Sequence, residues 1–143
     1  MPLTMFVIPC DNPQQGDIEK LKKSLVDAAD EICVIKHRDL NSSDKGMSGW
    51  YGYLFSNEWL DEGLRLALPY FMEQSEQDYL VLYKKVFEKK GALITQKIYQ
   101  APRIFRRDIE LEGPGNLIPI NSHKLSSVSV LDGWIMEPER KIQ

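Results

Sequence analysis

Three arginines lie close together in the last third of the chain. Arg103, Arg106 and Arg107 belong to the run Pro102–Arg107 (PRIFRR). The planar guanidinium fork binds phosphate oxygens in pairs. On a strand, Arg103 and Phe105 would share one face and Arg106 the other. Two interpretations stand side by side: a clamp on a phosphate or sugar-phosphate group, and a charge pattern that stops an edge strand from pairing with another sheet.

Other catalytic chemistry is sparse in the sequence. The two histidines, His37 and His123, have no partners at the spacing of a metal site. No Ser-His-Asp or Cys-His arrangement has a recognisable context, and no glycine-rich phosphate loop is present. No catalytic residue is therefore assigned.

Composition favours an ordinary globular domain over residues 1–143. Of the 143 residues 43% are hydrophobic and 27% charged, and the net charge of −3 gives no general reason to bind nucleic acid or an anionic membrane. No apolar run is long enough to span a bilayer, and the start does not read as a signal peptide. Cys10 and Cys33 are interpreted as buried thiols in a reducing compartment. These features predict a cytoplasmic protein.

The first third of the chain has the pattern of a parallel βαβ unit. An apolar run at Thr4–Cys10 ends in turn residues and predicts a strand. Apolar residues at helical spacing predict a helix from Gly16 to Ala28, and the continuous apolar run Glu31–Ile35 predicts a second strand covered on both faces. A strand, a helix and a strand within this length predict a parallel pair.

A polar loop and an aromatic strand follow. Residues His37–Gly49 are rich in Gly, Ser, Asp and Asn, and Trp50–Phe55 is an aromatic run that predicts a third strand. Ser56 or Asn57 is predicted to cap the next helix, which ends near Ser75.

The rest of the chain changes to strand periodicity. Tyr79–Phe87 and Ala92–Tyr99 are rich in β-branched and aromatic residues and predict a hairpin. Two short strands are predicted near Leu117–Ile120 and Ser126–Leu131. The expected fold class is therefore α/β, a small mixed sheet with an N-terminal parallel βαβ unit and a C-terminal antiparallel part.

Three segments carry a family resemblance. They are Phe6–Asn12 (FVIPCDN), Trp50–Leu60 (WYGYLFSNEWL) and Ala101–Arg107 (APRIFRR). In order and context they resemble the family-2 glycosyltransferases, particularly the branch of lipopolysaccharide-core and phage sugar transferases. The fold that the resemblance implies is a shortened GT-A nucleotide-diphospho-sugar transferase.

The resemblance implies two groups of binding residues. For Asp39 and Asp44 the alternative interpretation is that they belong to a solvated polar loop. The residues that the resemblance predicts to bind the nucleotide are Pro9, Asp11, Asn12, Asp39 and Asp44. The residues that it predicts to bind the acceptor or a phosphate are Arg103, Arg106, Arg107 and His123. For His123 a plain surface position is the alternative.

The metal motif of the family is altered in this chain. In the family, paired aspartates hold Mg²⁺ or Mn²⁺, which neutralises the leaving diphosphate. Phe55 and Asn57 occupy those positions here. Asn57 and Glu58 are what remains of a metal site, and Glu58 is equally well explained as a first-turn acid of the following helix.

The function implied by the resemblance is handling of a nucleotide-diphosphate sugar, with hexose transfer if the protein is active. The alternative is a non-catalytic binding or assembly module derived from such an enzyme, favoured by the altered metal motif. Between Asp44 and Trp50 the family inserts a further helix and strand that complete the nucleotide pocket, and this chain has only a few residues there. A shortened sheet leaves an edge or face exposed, which a homodimer would cover.

Overall fold

The computed structural model describes residues 2–10, 15–46, 48–112 and 117–142, without the side chains of residues 15–17. Short 3-10 turns occur at His37–Asp39 and Ser122–Lys124. The helices and strands of the described residues are, in chain order, β1 (Leu3–Ile8), α1 (Gln15–Ser24), β2 (Glu31–Val34), β3 (Trp50–Phe55), β4 (Trp59–Leu60), α2 (Glu62–Gln74), β5 (Tyr79–Lys90), β6 (Leu93–Arg106), β7 (Ser127–Ser129), β8 (Ile135–Met136) and β9 (Arg140–Lys141).

The parallel βαβ unit is confirmed, but β2 is an edge strand with exposed and half-buried residues, so the prediction that it is covered on both faces is wrong. β1 pairs in parallel with β2 on one side and with β3 on the other. All six residues of β1 are buried, which explains why its sequence is apolar without alternation. Helix α1 ends at Ser24, earlier than predicted, and Asp27 then adopts a left-handed conformation with φ of 65°. Leu25 and Ala28 still pack into the core beyond the helix end.

The sheet changes from parallel to antiparallel pairing at β3. Strand β3 is antiparallel to β6, and β6 is antiparallel to β5. The other edge of β5 is paired in turn with β7, β8 and β9, all parallel to it. Across the described residues these strands form one mixed sheet of nine strands, in the order β2-β1-β3-β6-β5-β8-β4 with β7 and β9 also on β5. The α/β class with a mixed sheet is confirmed.

The hairpin is longer than the sequence indicated. Gly91 and Ala92 make a two-residue turn between Lys90 and Leu93, with φ of 61° at Gly91 as the first central residue of a type II′ turn requires. Strand β6 then continues without a break to Arg106, so the arginine segment is part of the hairpin. The strand predicted near Leu117–Ile120 is reduced to a single bridge between Pro119 and Leu111.

The start of α2 differs from the prediction. Asp61 is the N-cap, and its carboxylate accepts hydrogen bonds from the backbone N–H of Leu64 at 2.9 Å and of Trp134 at 3.0 Å. The cap predicted at Ser56 or Asn57 is therefore wrong. The reason is a long-range contact: Trp59 and Leu60 form β4, which pairs with β8 from the end of the chain.

Two clusters of buried side chains lie in the fold. The larger joins β1, β3, β5 and β6 with both helices, and includes Leu21, Leu64 and Leu68. The smaller contains Phe6, Tyr51, Phe105 and their neighbours, with Leu111 and Leu117 from the segment after β6. Cys10 and Cys33 are free thiols and only partly buried. Neither described helix combines the length and apolarity that a membrane crossing requires.

Candidate functional site

A cleft of about 520 Å³ opens at the carboxyl ends of the parallel strands. The chain passes from β1 to β2 on one side and then returns to β3 on the other, so the carboxyl end of β1 is a topological switch point. Ligands of open α/β sheets bind in crevices of this kind, and the volume is that of a small-molecule site. The residues lining the cleft are Ile8, Pro9, Cys10, Lys36, His37 and Phe55.

Ser56 fixes one wall of the cleft. Its backbone N–H donates to the carbonyl of Ile8 at 2.9 Å, and its hydroxyl accepts from the N–H of Cys10 at 2.9 Å. The same hydroxyl lies 3.2 Å from the Cys10 sulfur and donates to it. These bonds hold the chain that leaves β1 against the end of β3. The position of Pro9, between Ile8 and Cys10, is therefore fixed by Ser56.

The opposite wall carries two basic side chains. His37 begins the 3-10 turn after β2, and its ring meets Phe55 edge-on at 6.2 Å between centroids. Its Nε2 atom is buried and has no hydrogen-bond partner among the described residues. Lys36 is exposed beside it. Buried polar atoms are nearly always paired, so the His37 nitrogen is an exception, and the ring would have to turn to present that nitrogen to the cleft.

The structure brings together only some of the predicted nucleotide-binding residues. Pro9 lines the cleft, whereas Asp11 and Asn12 lie outside the described residues. Asp39 lies in the same 3-10 turn as His37 without lining the cleft, and its backbone carbonyl accepts the hydroxyls of Ser42 and Ser43.

Asp44 lies at the other end of the parallel strands. Its carboxylate accepts from the N–H of Gly46 at 2.8 Å, and the neighbouring Lys45 carbonyl accepts from the Thr4 hydroxyl, near the start of β1, at 3.2 Å. The loop after the 3-10 turn thus returns along the strands before β3 begins. Asp44 is separated from Pro9 by roughly the length of β1, about 15–20 Å, so the two residues do not form one site.

Glu58 and Arg103 bind each other inside the protein. Arg103 donates to both carboxylate oxygens of Glu58, at 2.7 and 3.0 Å, and Glu58 is fully buried. One of these oxygens also accepts from the backbone N–H of Phe55 at 2.8 Å. The sequence predicted Glu58 as a metal ligand and Arg103 as a phosphate ligand. In the structure the two side chains bind each other, so the atoms that would bind a metal or a phosphate are already used.

The pair is part of a larger ion network, which we define as Glu58, Arg103, Lys84, Glu137 and Arg140. The Lys84 ammonium lies 2.6 Å from Glu58 and 2.8 Å from Glu137, and Arg140 bonds to Glu137 at 2.6 Å. Burial alone would raise the pKa of the Glu58 carboxyl, but Arg103 and Lys84 outweigh it and bring that pKa down to about 2. Glu58 is therefore an ionised structural group.

The donor set does not fit a divalent metal. Mg²⁺ and Mn²⁺ require several free oxygen ligands. Both oxygens of Glu58 are committed to cations and a backbone N–H, and Asn57 supplies only a neutral amide. Within residues 2–10, 15–46, 48–112 and 117–142, no group of three or more His, Cys, Asp or Glu side chains is arranged to hold a metal ion.

The remaining arginines do not form a clamp with Arg103. Arg106 stacks over the Trp50 ring at 4.0 Å and donates to the carbonyls of Ser75 and Gln77. Arg107 donates to the carbonyls of Gly46 and Ser48.

His123 is exposed in the second 3-10 turn, which follows the bridge between Leu111 and Pro119. Arg103, Arg106, Arg107 and His123 are thus dispersed over a buried network, two loop contacts and the surface.

The basic wall of the cleft was not identified from the sequence. Lys36 and His37 follow directly after β2, and Phe55 ends β3. Since carboxyl ends of parallel strands share one edge of a sheet, the residues immediately after each predicted strand were the available signal.

Comparison with known proteins adds no family assignment. No protein-family model matches the chain. No curated protein matches it either.

Proposed function

We propose that the cleft binds the nucleotide-diphosphate part of a nucleotide sugar, and that the protein is a glycosyltransferase-like protein that binds this ligand without a carboxylate-held metal. The observation that supports the proposal is the cleft itself, at the switch point of the parallel strands with Lys36 and His37 on its wall. The resemblance of Phe6–Asn12 and Trp50–Leu60 to family-2 glycosyltransferases favours the nucleotide sugar as the ligand class.

Two side chains would supply what a metal supplies elsewhere. An ammonium such as that of Lys36 is a compact charge that suits a phosphate. The Nε2 of His37 is buried without a described partner, and a turn of the ring would be needed for it to form a hydrogen bond with the ligand. The edge of the Phe55 ring closes the same space. Part of the diphosphate charge would then be balanced by the protein's own cation.

A second candidate function is a non-catalytic binding or assembly module. The burial of Glu58 in the ion network favours it, because the one carboxylate left at the family's metal motif is used to hold the fold. In this case the cleft binds the nucleotide sugar and no sugar is transferred.

The test is calorimetric binding of UDP, UDP-glucose and inorganic diphosphate to the wild-type protein and to Lys36→Gln. Removal of this charge should weaken binding of UDP about tenfold, the loss expected for one charge-assisted contact. Lys23→Gln is the matched control, because Lys23 is equally a solvent-exposed lysine but lies in α1 outside the cleft. Absence of binding by every nucleotide diphosphate would overturn the proposal.

The two candidate functions are distinguished by measuring whether UDP is released from a bound UDP-sugar. Incubation of a bound UDP-sugar with and without a panel of sugar acceptors should release UDP if the protein is a transferase. Binding with no release of UDP, in the presence of acceptors, would favour the non-catalytic module.

A further inference from the structure

Half of β6 is an unpaired sheet edge. Strand β3 pairs with β6 only at Ile104, Phe105 and Arg106. From Leu93 to Gln100 every residue of β6 is exposed, and no described strand pairs with the edge that faces away from β5. A long free edge is a template for another strand, and proteins usually block such an edge with charge, proline or a bulge.

This free edge carries apolar side chains, where charged residues or proline would be expected to prevent pairing with another strand. Leu93, Ile94, Ile98 and Tyr99 are 64%, 56%, 50% and 43% exposed, on both faces of the hairpin. The one charged residue of the stretch, Lys97, is held 2.9 Å from Glu88 on the neighbouring strand. Its charge is thus compensated within its own hairpin.

The hydrogen-bonding groups of the edge follow from the turn. Lys90 and Leu93 flank the two-residue turn, so they exchange backbone hydrogen bonds with each other. Bonding directions alternate along an antiparallel strand. Ile94, Gln96 and Ile98 therefore direct their N–H and C=O groups away from β5, toward the free edge.

The sequence of the edge is self-complementary about Gln96. A two-fold axis through Gln96 sets Ile94 opposite Ile98 of a second copy and Leu93 opposite Tyr99 of that copy, each pair on one face of the joined sheet. Lys97 then faces Thr95. Pairing in this register forms about six backbone hydrogen bonds between the copies, and cross-strand apolar pairs stabilise a sheet.

Neighbouring registers lose this match. An axis through Lys97 sets two lysines directly opposite each other, which is destabilising. An axis through Thr95 sets Ile94 opposite Gln96 and Leu93 opposite Lys97. In the register through Gln96, the turn of the second copy reaches Gln100, where the exposed stretch of β6 ends. The turn residues of the second copy, Gly91 and Ala92, have small side chains and therefore need little space beside Gln100.

We propose that the protein forms a symmetric homodimer by antiparallel pairing of β6 edges about Gln96. A closed two-fold contact of this kind uses the same surface twice and does not propagate. The interface is small, so we expect a dissociation constant on the order of micromolar. The dimer extends the sheet across both copies.

Sedimentation equilibrium over a range of concentrations tests the association. We expect a monomer–dimer equilibrium in the wild-type protein and an increase in the dissociation constant of about a hundredfold or more in Ile94→Lys, because the change enters the interface twice. Leu66→Lys is the matched control, since Leu66 is 61% exposed but lies on α2. Circular dichroism checks that each variant is folded. A monomer throughout, or a dimer that Ile94→Lys leaves intact, would overturn the proposal.

Cysteine pairing tests the register. In a background with both native cysteines changed to serine, Ile94→Cys and Ile98→Cys are oxidised separately and as a mixture. The register through Gln96 predicts a disulfide-linked dimer in the mixture and little in either variant alone, because Ile94 faces Ile98 within reach of a disulfide. Equal cross-linking of Ile94→Cys with itself would contradict this register.

Discussion

Charged and polar residues serve different purposes on the two sides of Phe55. On one side, Phe55 meets His37 in the cleft, where the histidine nitrogen has no partner among the described residues and Lys36 is exposed. On the other side, the Arg103 guanidinium lies 5.3 Å from the same ring, inside the ion network.

The difference separates binding from folding. A charge whose hydrogen-bonding atoms are all used by the protein cannot also bind a ligand without breaking the fold. The residues that resemble a metal site and a phosphate clamp are of this kind, and the cleft residues are not. We therefore expect substitutions in the ion network to change stability strongly and substitutions in the cleft to change it little.

The largest effect is expected from Glu58→Gln. The substitution leaves buried Arg103 with a neutral partner and removes one of the two carboxylates that contact Lys84, so the free energy of unfolding should fall by about 3–5 kcal/mol. Urea denaturation measures it. Glu62→Gln is the control, because Glu62 is 79% exposed in its contact with Arg65 and should change stability by less than about 0.5 kcal/mol. Similar stabilities for the two variants would show that the network contributes little.

The next effect is loss of stability in acid. The pKa of Glu58 in the folded protein is about 2, below the ordinary value of 4.5. A carboxyl with a lowered pKa stabilises the fold fully above 4.5, and this contribution is lost as the pH falls from 4.5 toward 2. We expect a decrease on the order of 3 kcal/mol over this interval, measured by urea denaturation at several pH values. The decrease should persist in Glu62→Gln; a flat profile in the wild-type protein would contradict it.

A smaller effect is expected at the start of α2. Asp61→Ala removes the acceptor for Leu64 and Trp134 and should lower the free energy of unfolding by about 1–2 kcal/mol. Asp61→Asn keeps an acceptor oxygen and should recover most of this loss in thermal denaturation. Equal destabilisation by both variants would mean that the charge, and not the hydrogen bonds, is what matters.

The smallest stability effect is expected in the cleft. Lys36→Gln should change the free energy of unfolding by less than about 0.5 kcal/mol, because Lys36 is exposed and makes no ion pair with a described residue. Its effect should appear only in ligand affinity. A large loss of stability would place Lys36 among the structural charges and contradict the difference between the cleft and the ion network.

Local patterns predicted much of the fold. The apolar run in β1, the helical spacing in α1 and the polar Gly91 turn each depend on neighbouring residues, and the structure contains the elements they predict. The pairing of Trp59 with Met136 depends on residues far apart in the chain, so the start of α2 was misplaced.

The ion network was harder to predict for the same reason. Glu58 and Arg103 are 45 positions apart, and neither sequence neighbourhood reveals the other. One local signal was present: Arg103 lies two residues before Phe105, which is fully buried. An arginine on the apolar face of a strand indicates a buried ion pair more than a surface clamp.

Metal-independent binding is tested by calorimetry of UDP binding in excess Mn²⁺ and, in parallel, in excess chelator. We expect the same affinity in both, since Lys36 supplies positive charge in the cleft and the metal-motif carboxylate, Glu58, is committed to Arg103. Binding that requires Mn²⁺ and disappears with chelator would contradict it.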